Sequence, residues 1–191
     1  DVTAKAGLHS PGWALAALGS DRVLIGAPYD NTGATDTGAA YLFSTNGTLL
    51  TTFTNPAPEV GGQFGRSLAA VGTDRVLIAA PNTDLGAYDT GAAYLFSTSG
   101  ALLTTFTNPT PAGSDAFGWP LAAVGTDLVL IACPGDDTGA ETAGAAYLFS
   151  TNGALLRTFN NPAPAAYDAF GNCVAAVGAD RVLIGAYHDS I

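Results

Sequence analysis

The sequence contains no methionine, only two histidines and few charged residues. Because the chain starts at Asp1 with neither a methionine nor a signal peptide, we expect a processed product or a fragment of a longer protein. His9 and His188 have no Ser, Cys or Asp partner at catalytic spacing, so a nucleophilic triad is not expected. No apolar run reaches the length of about 18 residues that a transmembrane helix needs, so membrane insertion is not expected either.

Charged residues make up 12% of the chain, and Asp plus Glu outnumber Lys plus Arg by 16 to 6, which gives a formal net charge of −10. The few cations are scattered along the sequence, whereas a surface for nucleic acid or an anionic membrane needs them clustered. Neither is therefore an expected partner. The low lysine content and the abundance of Thr, Ser, Asn and Gly suit an extracellular or cell-surface protein, and 48% hydrophobic residues favour an ordered fold.

The sequence is built from repeated segments. Asp21, Asp74, Asp127 and Asp180 occupy the same place in four copies, and each follows the previous one by 53 residues. In the second copy Asp74 opens the segment DRVLIAAP, and GAAYLF follows it from Gly91. A period of 53 residues is near that of a β-propeller blade and far from that of a leucine-rich solenoid.

Each copy predicts four strands. In the second copy they cover residues 67–71, 76–78, 92–96 and 102–106. Tight Gly-containing turns join the first strand to the second and the third to the fourth, and prolines end the last strand. Side-chain volume rises from the first strand to the last, as expected when the first strand lies near a crowded axis. The sequence therefore predicts an all-β fold, with β-propeller blades built as four-stranded antiparallel meanders.

The repeats predict a single β-propeller domain over residues 1–191. Its full blades cover residues 13–60, 64–113 and 117–166, and residues 170–191 supply the first half of a fourth blade. A half blade leaves an unpaired edge, which a protein tolerates poorly. Two alternatives remain open: further chain completes the propeller, or two copies complete each other by self-association.

Phe64-Gly65, Phe117-Gly118 and Phe170-Gly171 precede the first strand of their copies, and Gly26-Ala27-Pro28 ends a second strand. In these motifs the chain resembles the FG-GAP repeats of the integrin α-subunit propeller and its bacterial relatives, over nearly its whole length. Calcium-binding members of that family carry an Asp-x-Asp-x-Asp-Gly type loop between strands one and two. Here the connection is only Gly-Ser-Asp, Gly-Thr-Asp or Gly-Ala-Asp, so neither calcium nor another cofactor is expected at that place.

The meander places the loops that enter strand one and those that leave strand two on one face, termed here the loop face. Binding residues usually lie on such loops, and an exposed Trp is a frequent anchor for a protein or a sugar. The candidate ligand-binding residues are a variable position before strand one and the acids of the longer loops: Trp13, Arg66, Trp119, Asp30, Asp36, Asp84, Asp89, Asp136 and Asp137. The alternatives are Asx turns for the acids and packing between blades for the tryptophans.

Two further sets of residues carry structural predictions. The tyrosines and phenylalanines of the third strands are expected to pack blade against blade: Tyr41, Tyr94, Tyr147, Phe43, Phe96 and Phe149. Cys133 and Cys173 break the repeat and are expected near each other on one face. They form either a disulfide or a pair of buried free thiols.

No Gly-rich phosphate loop, zinc-ligand spacing or paired-carboxylate motif stands out, so the chain is not expected to be an enzyme. The leading functional prediction is an extracellular or cell-surface interaction or structural module. It would bind a protein or glycan through the acidic loop face, or assemble through open blade edges. The alternative is a sugar-binding, lectin-type propeller with pockets between blades. A hydrolytic propeller ranks third, since it requires acidic pairs from different blades to converge.

Overall fold

A computed structural model of the protein describes residues 11–189, and its regular structure consists of β-strands. The strands are β1 (Ala14–Leu18), β2 (Arg22–Ala27), β3 (Ala39–Ser44), β4 (Leu49–Thr54), β5 (Leu68–Val71), β6 (Arg75–Ala80), β7 (Ala92–Ser97), β8 (Leu102–Thr107), β9 (Leu121–Val124), β10 (Leu128–Cys133), β11 (Ala145–Ser150), β12 (Leu155–Asn160), β13 (Phe170–Val177) and β14 (Arg181–Ala186). Within these described residues no helix has the length and apolarity needed to cross a membrane. His9 and the two ends of the predicted domain lie outside the described residues.

The strands form three four-stranded antiparallel meanders and one two-stranded sheet. Blade 1 contains β1 to β4, blade 2 contains β5 to β8, blade 3 contains β9 to β12, and the half blade contains β13 and β14. The predicted all-β class, the meander topology and the three and a half blades are thereby confirmed. The first strands of successive sheets lie next to one another, an arrangement compatible with a propeller.

Strand pairing repeats with the sequence. Ile25 pairs with Tyr41 in blade 1, and the equivalent residues pair in the same register in blades 2 and 3. Each third strand also has a register shift against its fourth strand, between Leu42 and Phe43 in blade 1. One strand departs from the pattern: β13 begins at Phe170, earlier than its counterparts, with an irregularity between Phe170 and Cys173.

Most of the hydrophobic core lies between the sheets, whereas Tyr41 and Phe43 belong to a buried cluster formed by blade 1 residues alone. In blade 2, Leu77 belongs to a buried cluster shared with blade 3, whereas Ile78 and Tyr94 belong to a cluster shared with blade 1. Successive residues of a strand point to opposite faces, so both faces of blade 2 are buried. Phe96 lies against Phe53 of blade 1 at a centroid distance of 5.4 Å, as expected for packing between blades. Burial of each such side chain contributes roughly 1.5–3 kcal/mol.

The Phe-Gly motif joins each blade to the next. The Phe117 backbone N–H donates to Thr90 O at 3.0 Å, and the equivalent bonds reach Thr37 O and Ala143 O in the loops of blades 1 and 3. Gly91 has a φ of +82°, and a Cβ atom there would lie 2.2 Å from Phe117 O. Only glycine allows this close approach, so the start of one repeat secures the long loop of the repeat before it.

The two ends of each blade differ as predicted. The Gly65 backbone N–H donates to Ala79 O at 2.9 Å, which places the loop entering strand one beside the end of strand two. At the opposite end, the Thr98 N–H donates to Asp74 O at 2.8 Å and so joins the two short turns of blade 2. The long loops therefore gather on the loop face.

The disulfide hypothesis for Cys133 and Cys173 is not supported, because both are free thiols. Cys133 is buried in β10, on the face of blade 3 that packs against blade 2. In β13 it is Val174 and Ala176 that pack against blade 3, so the exposed Cys173 faces the opposite way. Two sheets lie between the sulfur atoms, since the half blade is stacked on the other face of blade 3. Successive side chains of β13 point to opposite faces of the sheet, so Cys173 points away from blade 3 and therefore away from Cys133.

Candidate functional site

Three of the predicted ligand-binding residues come together on the loop face. Trp13 directly precedes β1, and Arg66 and Trp119 each lie two residues before the first strand of their blades. Because β5 lies between β1 and β9, the side chain from blade 2 is flanked by those from blades 1 and 3. One position of the repeat thus supplies a three-residue cluster from three successive blades.

The cluster is a stack of a cation between two aromatic rings. The guanidinium carbon of Arg66 lies 4.4 Å from the centroid of the Trp13 ring and 4.8 Å from that of Trp119. Cation–π contacts of this kind contribute about 0.5–1 kcal/mol when exposed and about 2 kcal/mol when desolvated. Trp13, Arg66 and Trp119 are termed the Trp–Arg–Trp stack below.

Two polar neighbours fix the orientation of the guanidinium group. Arg66 Nη1 donates to Tyr29 Oη at 3.1 Å and to Gln63 Oε1 at 2.9 Å. The Tyr29 ring also meets Trp13 edge to face, with centroids 5.6 Å apart. Arg66 Nε is buried, and no described protein group accepts a hydrogen bond from it. These contacts hold the guanidinium group in place between the two rings.

The two tryptophans remain strongly exposed despite the stacking. Trp13 keeps 52% and Trp119 keeps 42% of its surface accessible. Large aromatic side chains and arginine dominate the binding energy of many protein interfaces. Asn172, the equivalent residue of the half blade, is exposed as well but brings no aromatic ring. The stack thus offers a rigid apolar surface around a single positive charge.

Asp30 and Asp136 are used inside the loops. Asp136 is buried and accepts hydrogen bonds from Tyr147 Oη at 2.7 Å and from the Thr138 N–H at 2.8 Å. Asp30 is bonded in the same way in blade 1, with Tyr41 Oη at 2.8 Å. Burial, followed by the bond to Asp136, raises the pKa of the Tyr147 hydroxyl above its ordinary value. These two carboxylates hold the long loops and are not exposed for a ligand.

The other predicted acids shape the loop backbone. Asp84 and Asp137 are exposed, and each accepts a hydrogen bond of 2.7 Å from the backbone N–H five residues later. Asp36 and Asp89 adopt left-handed backbone conformations, with φ of 52° and 50°. Burial raises the pKa of Asp89 above its ordinary value. This geometry agrees with the turn-forming alternative for these residues.

A small polar hollow lies beside the loop of blade 2. It has a volume of about 170 Å³, and its lining includes Glu59, Gln63, Asn82, Asp84 and Tyr88. Tyr88 is 68% exposed. The Asp84 N–H donates to Glu59 Oε1 at 2.7 Å, which ties the loop to the segment between blades 1 and 2. The hollow combines an open aromatic ring with hydrogen-bonding groups.

Tyr29 and Gln63 are components of the site that sequence reasoning missed. The residues equivalent to Tyr29 in the next two copies are Asn82 and Gly135. This break in the repeat is the signal that could have identified Tyr29, since a residue serving only the repeated architecture has no reason to differ. Gln63 offers a weaker signal, because the segments before the Phe-Gly motif vary throughout.

No protein-family model matches the chain, and no curated protein matches it with significant similarity. Within residues 11–189, no group of three or more His, Cys, Asp or Glu side chains is placed to hold a metal ion. The Trp–Arg–Trp stack is consequently the feature of the described loop face with the most distinctive chemistry.

Proposed function

We propose that this protein is a non-enzymatic interaction module, acting outside the cell or at its surface, that binds a protein or glycan through the loop face. The exposed Trp–Arg–Trp stack is the observation that carries the proposal. Its members come from three blades, so the binding surface depends on the assembled fold and not on one loop.

Rigidity supports this proposal. A partner that covers Trp13 and Trp119 gains apolar contact with side chains already immobilised by Arg66, so little conformational entropy is lost on binding. The guanidinium group adds a hydrogen-bond donor for a carbonyl, a hydroxyl or a carboxylate of the partner. The resemblance to FG-GAP repeats also favours an adhesive role on the cell surface.

The environment of the loop acids supports a non-catalytic role. A hydrolytic propeller would need acidic pairs from different blades to converge on a substrate. Asp30 and Asp136 are buried, and each is bonded to a tyrosine of its own blade. Their engagement leaves them poorly suited to act as that pair.

Binding assays with protein and glycan panels test the proposal. Trp13 and Trp119 are the only tryptophans of the chain, so a ligand on the stack should change the intrinsic tryptophan fluorescence. We expect Trp119→Ala to weaken binding by about tenfold or more, as for an aromatic interface anchor. Leu103→Ala is the control, because Leu103 is also a large exposed apolar residue but lies in β8, near the short turns opposite the loop face. Binding that is equally strong in both variants would refute the proposed surface.

A lectin-type role is the second candidate, and the polar hollow beside Tyr88 favours it. An exposed aromatic ring next to carboxylate and amide groups suits the apolar face and the hydroxyl groups of a sugar. Screening a glycan panel with and without calcium tests this role, with Tyr88→Ala as the diagnostic variant. Glycan binding that survives Tyr88→Ala but is lost in Trp119→Ala would place the sugar on the stack instead.

A further inference from the structure

We propose that the junction between blades 1 and 2 is a binding site for a small monocarboxylate, of which acetate is the simplest probe. Asn55 and the Glu59 backbone N–H would hold the carboxylate where the next junction holds the side chain of Asp115. The site lies between two complete blades, so it does not depend on the half blade. It also does not rest on ligand binding at the Trp–Arg–Trp stack.

The first observation is a set of three buried polar groups without a partner. Asn55 Nδ2, Thr83 Oγ1 and Tyr94 Oη are buried, and no described residue forms a hydrogen bond with any of them. The three residues are only 5%, 1% and 2% exposed. Each buried polar group left unpaired costs about 1–3 kcal/mol. Since all three groups can donate a hydrogen bond, they favour a guest that accepts hydrogen bonds.

These groups face one place beside Gly62. A Cβ atom on Gly62 would lie 3.2 Å from Asn55 Nδ2 and 3.5 Å from Thr83 Oγ1. Tyr94 has the strand register of Tyr147, whose hydroxyl bonds to the residue equivalent to Thr83. The unpaired groups therefore gather between the end of blade 1 and the long loop of blade 2.

The following junctions show what the equivalent groups bind. Between blades 2 and 3, Asp115 accepts hydrogen bonds of 2.6 Å from Asn108 Nδ2 and from the Ala112 N–H. One repeat later, Asp168 accepts the equivalent bond from Asn161 Nδ2 at 2.8 Å. In both places the asparagine after the fourth strand donates to a carboxylate of the chain.

The junction between blades 1 and 2 lacks both acids of the next one. Gly62 replaces Asp115, and Thr83 replaces Asp136. Each replacement is smaller than the acid, while the asparagine donor is retained as Asn55. Acetate is the aspartate side chain as a free molecule, so it matches the group that Gly62 does not supply. Its two oxygens can accept from donors on both sides, Asn55 Nδ2 and Thr83 Oγ1.

Glu59 sets the charge of this place. Its Oε1 accepts a hydrogen bond from the Asp84 N–H at 2.7 Å, so its carboxylate is used by the loop of blade 2. Burial, followed by the charge of Glu59, raises the pKa of Tyr94 to about 12. A bound carboxylate would meet this one acid, just as Asp115 meets Asp136 in the next junction. The repulsion makes the site weak, and neutralising Glu59 should strengthen it.

Nuclear magnetic resonance of the unmodified protein tests the site. Sodium acetate is titrated against sodium chloride at fixed pH and ionic strength, and the side-chain amide signals of the asparagines are followed. We expect a saturable shift of the Asn55 amide with acetate, with half-saturation on the order of 10 mM, as for a very small ligand. The Asn108 and Asn161 amides are internal controls, because they already donate to carboxylates of the chain.

Three variants locate the guest. Gly62→Asp supplies the carboxylate from the chain, so the acetate response should be lost, and the φ of Gly62 lies outside the left-handed region that would oppose this change. Val60→Asp adds the same side chain at an exposed position and should change half-saturation by less than about twofold. Glu59→Gln keeps an acceptor for the Asp84 N–H but removes the charge, so acetate should bind about threefold tighter. Circular dichroism checks that each variant is folded.

Three results would overturn the proposal. The first is no saturable shift of the Asn55 amide with acetate. The second is an equal response to sodium chloride, or an equal shift of the Asn108 amide, either of which would indicate a general salt effect. The third is an acetate response that persists in folded Gly62→Asp, which would place the guest elsewhere. Because the first two come from the unmodified protein, a misfolded variant cannot mask the answer, and a failed loop-face assay does not affect them.

Discussion

Tyr147 donates a hydrogen bond of 2.7 Å to the buried carboxylate of Asp136. Blade 1 repeats the pair with Tyr41 and Asp30. In blade 2 the acid is replaced by Thr83, and the buried Tyr94 hydroxyl has no protein partner among the described residues. The repeats thus contain their own comparison of a bonded and an unbonded tyrosine in nearly the same environment.

The first prediction uses this comparison. Tyr147→Phe should lower the free energy of unfolding by about 1.5–3 kcal/mol, because it removes a hydrogen bond to a charged group and leaves the carboxylate less well satisfied. Tyr94→Phe should be close to neutral or slightly stabilising, since it removes a buried hydroxyl that has no partner. Urea unfolding of the two variants measures both effects. Equal losses would show that the bond to Asp136 contributes nothing.

The second prediction concerns Asp115, which is fully buried beneath the loop entering blade 3 and accepts hydrogen bonds of 2.6 Å from Asn108 Nδ2 and the Ala112 N–H. Burial raises its pKa from 3.8 to about 6. The protonated form is favoured in the folded state, so this contribution to stability is complete below pH 3.8 and is lost as the pH rises through about 6. Asp115→Asn should remove up to about 3 kcal/mol of this pH dependence.

Urea unfolding between pH 4 and pH 7 measures the difference. Asp21→Asn is the control, because Asp21 is an exposed acid in a short turn of blade 1, so its removal takes no buried carboxylate from the protein. An Asp115→Asn variant with the pH profile of the unmodified protein would contradict the assignment.

The third prediction distinguishes the two thiols. Cys173 is exposed and should react with a thiol reagent in the native protein. Cys133 is buried, and burial raises the pKa of its thiol, so it should react only after unfolding. Mass spectrometry after alkylation, with and without denaturant, counts the modified residues. Resistance of both cysteines in unreduced, denatured protein would instead reveal a disulfide.

The fourth prediction concerns the cation of the Trp–Arg–Trp stack. Arg66→Met keeps an unbranched apolar side chain but removes the charge, so it should lower the free energy of unfolding by about 1–2 kcal/mol through the lost cation–π contacts. The tryptophan emission spectrum should shift as both rings lose their common partner. Arg181→Met is the control, since that exposed arginine lies in the half blade. Unchanged emission in Arg66→Met would mean that the stack does not persist in solution.

The strands and blades could be predicted from the sequence because the same strand and turn segments recur every 53 residues, so each copy supports the assignment of the others. The position shared by Trp13, Arg66 and Trp119 was also visible as a variable site. Their mutual stacking was not, because it depends on the spacing of the blades and on the reach of the arginine side chain. The burial of Asp30 and Asp136 likewise depends on tyrosines eleven residues away, which the loop composition does not reveal. Local alternation gives the face of a strand, whereas contacts between blades require the assembled sheets.

The bond between the Phe117 N–H and Thr90 O means that the long loop of blade 2 is closed by the first residues of the next repeat. A cut placed before Phe117 would detach a blade from the residues that close its own loop, whereas a cut after Gly118 would leave that closure intact. The unit suited to excision, duplication or exchange therefore does not end where the fourth strand of a blade ends, but extends through the Phe-Gly motif that follows it. It ends inside what the sequence alone marks as the following repeat.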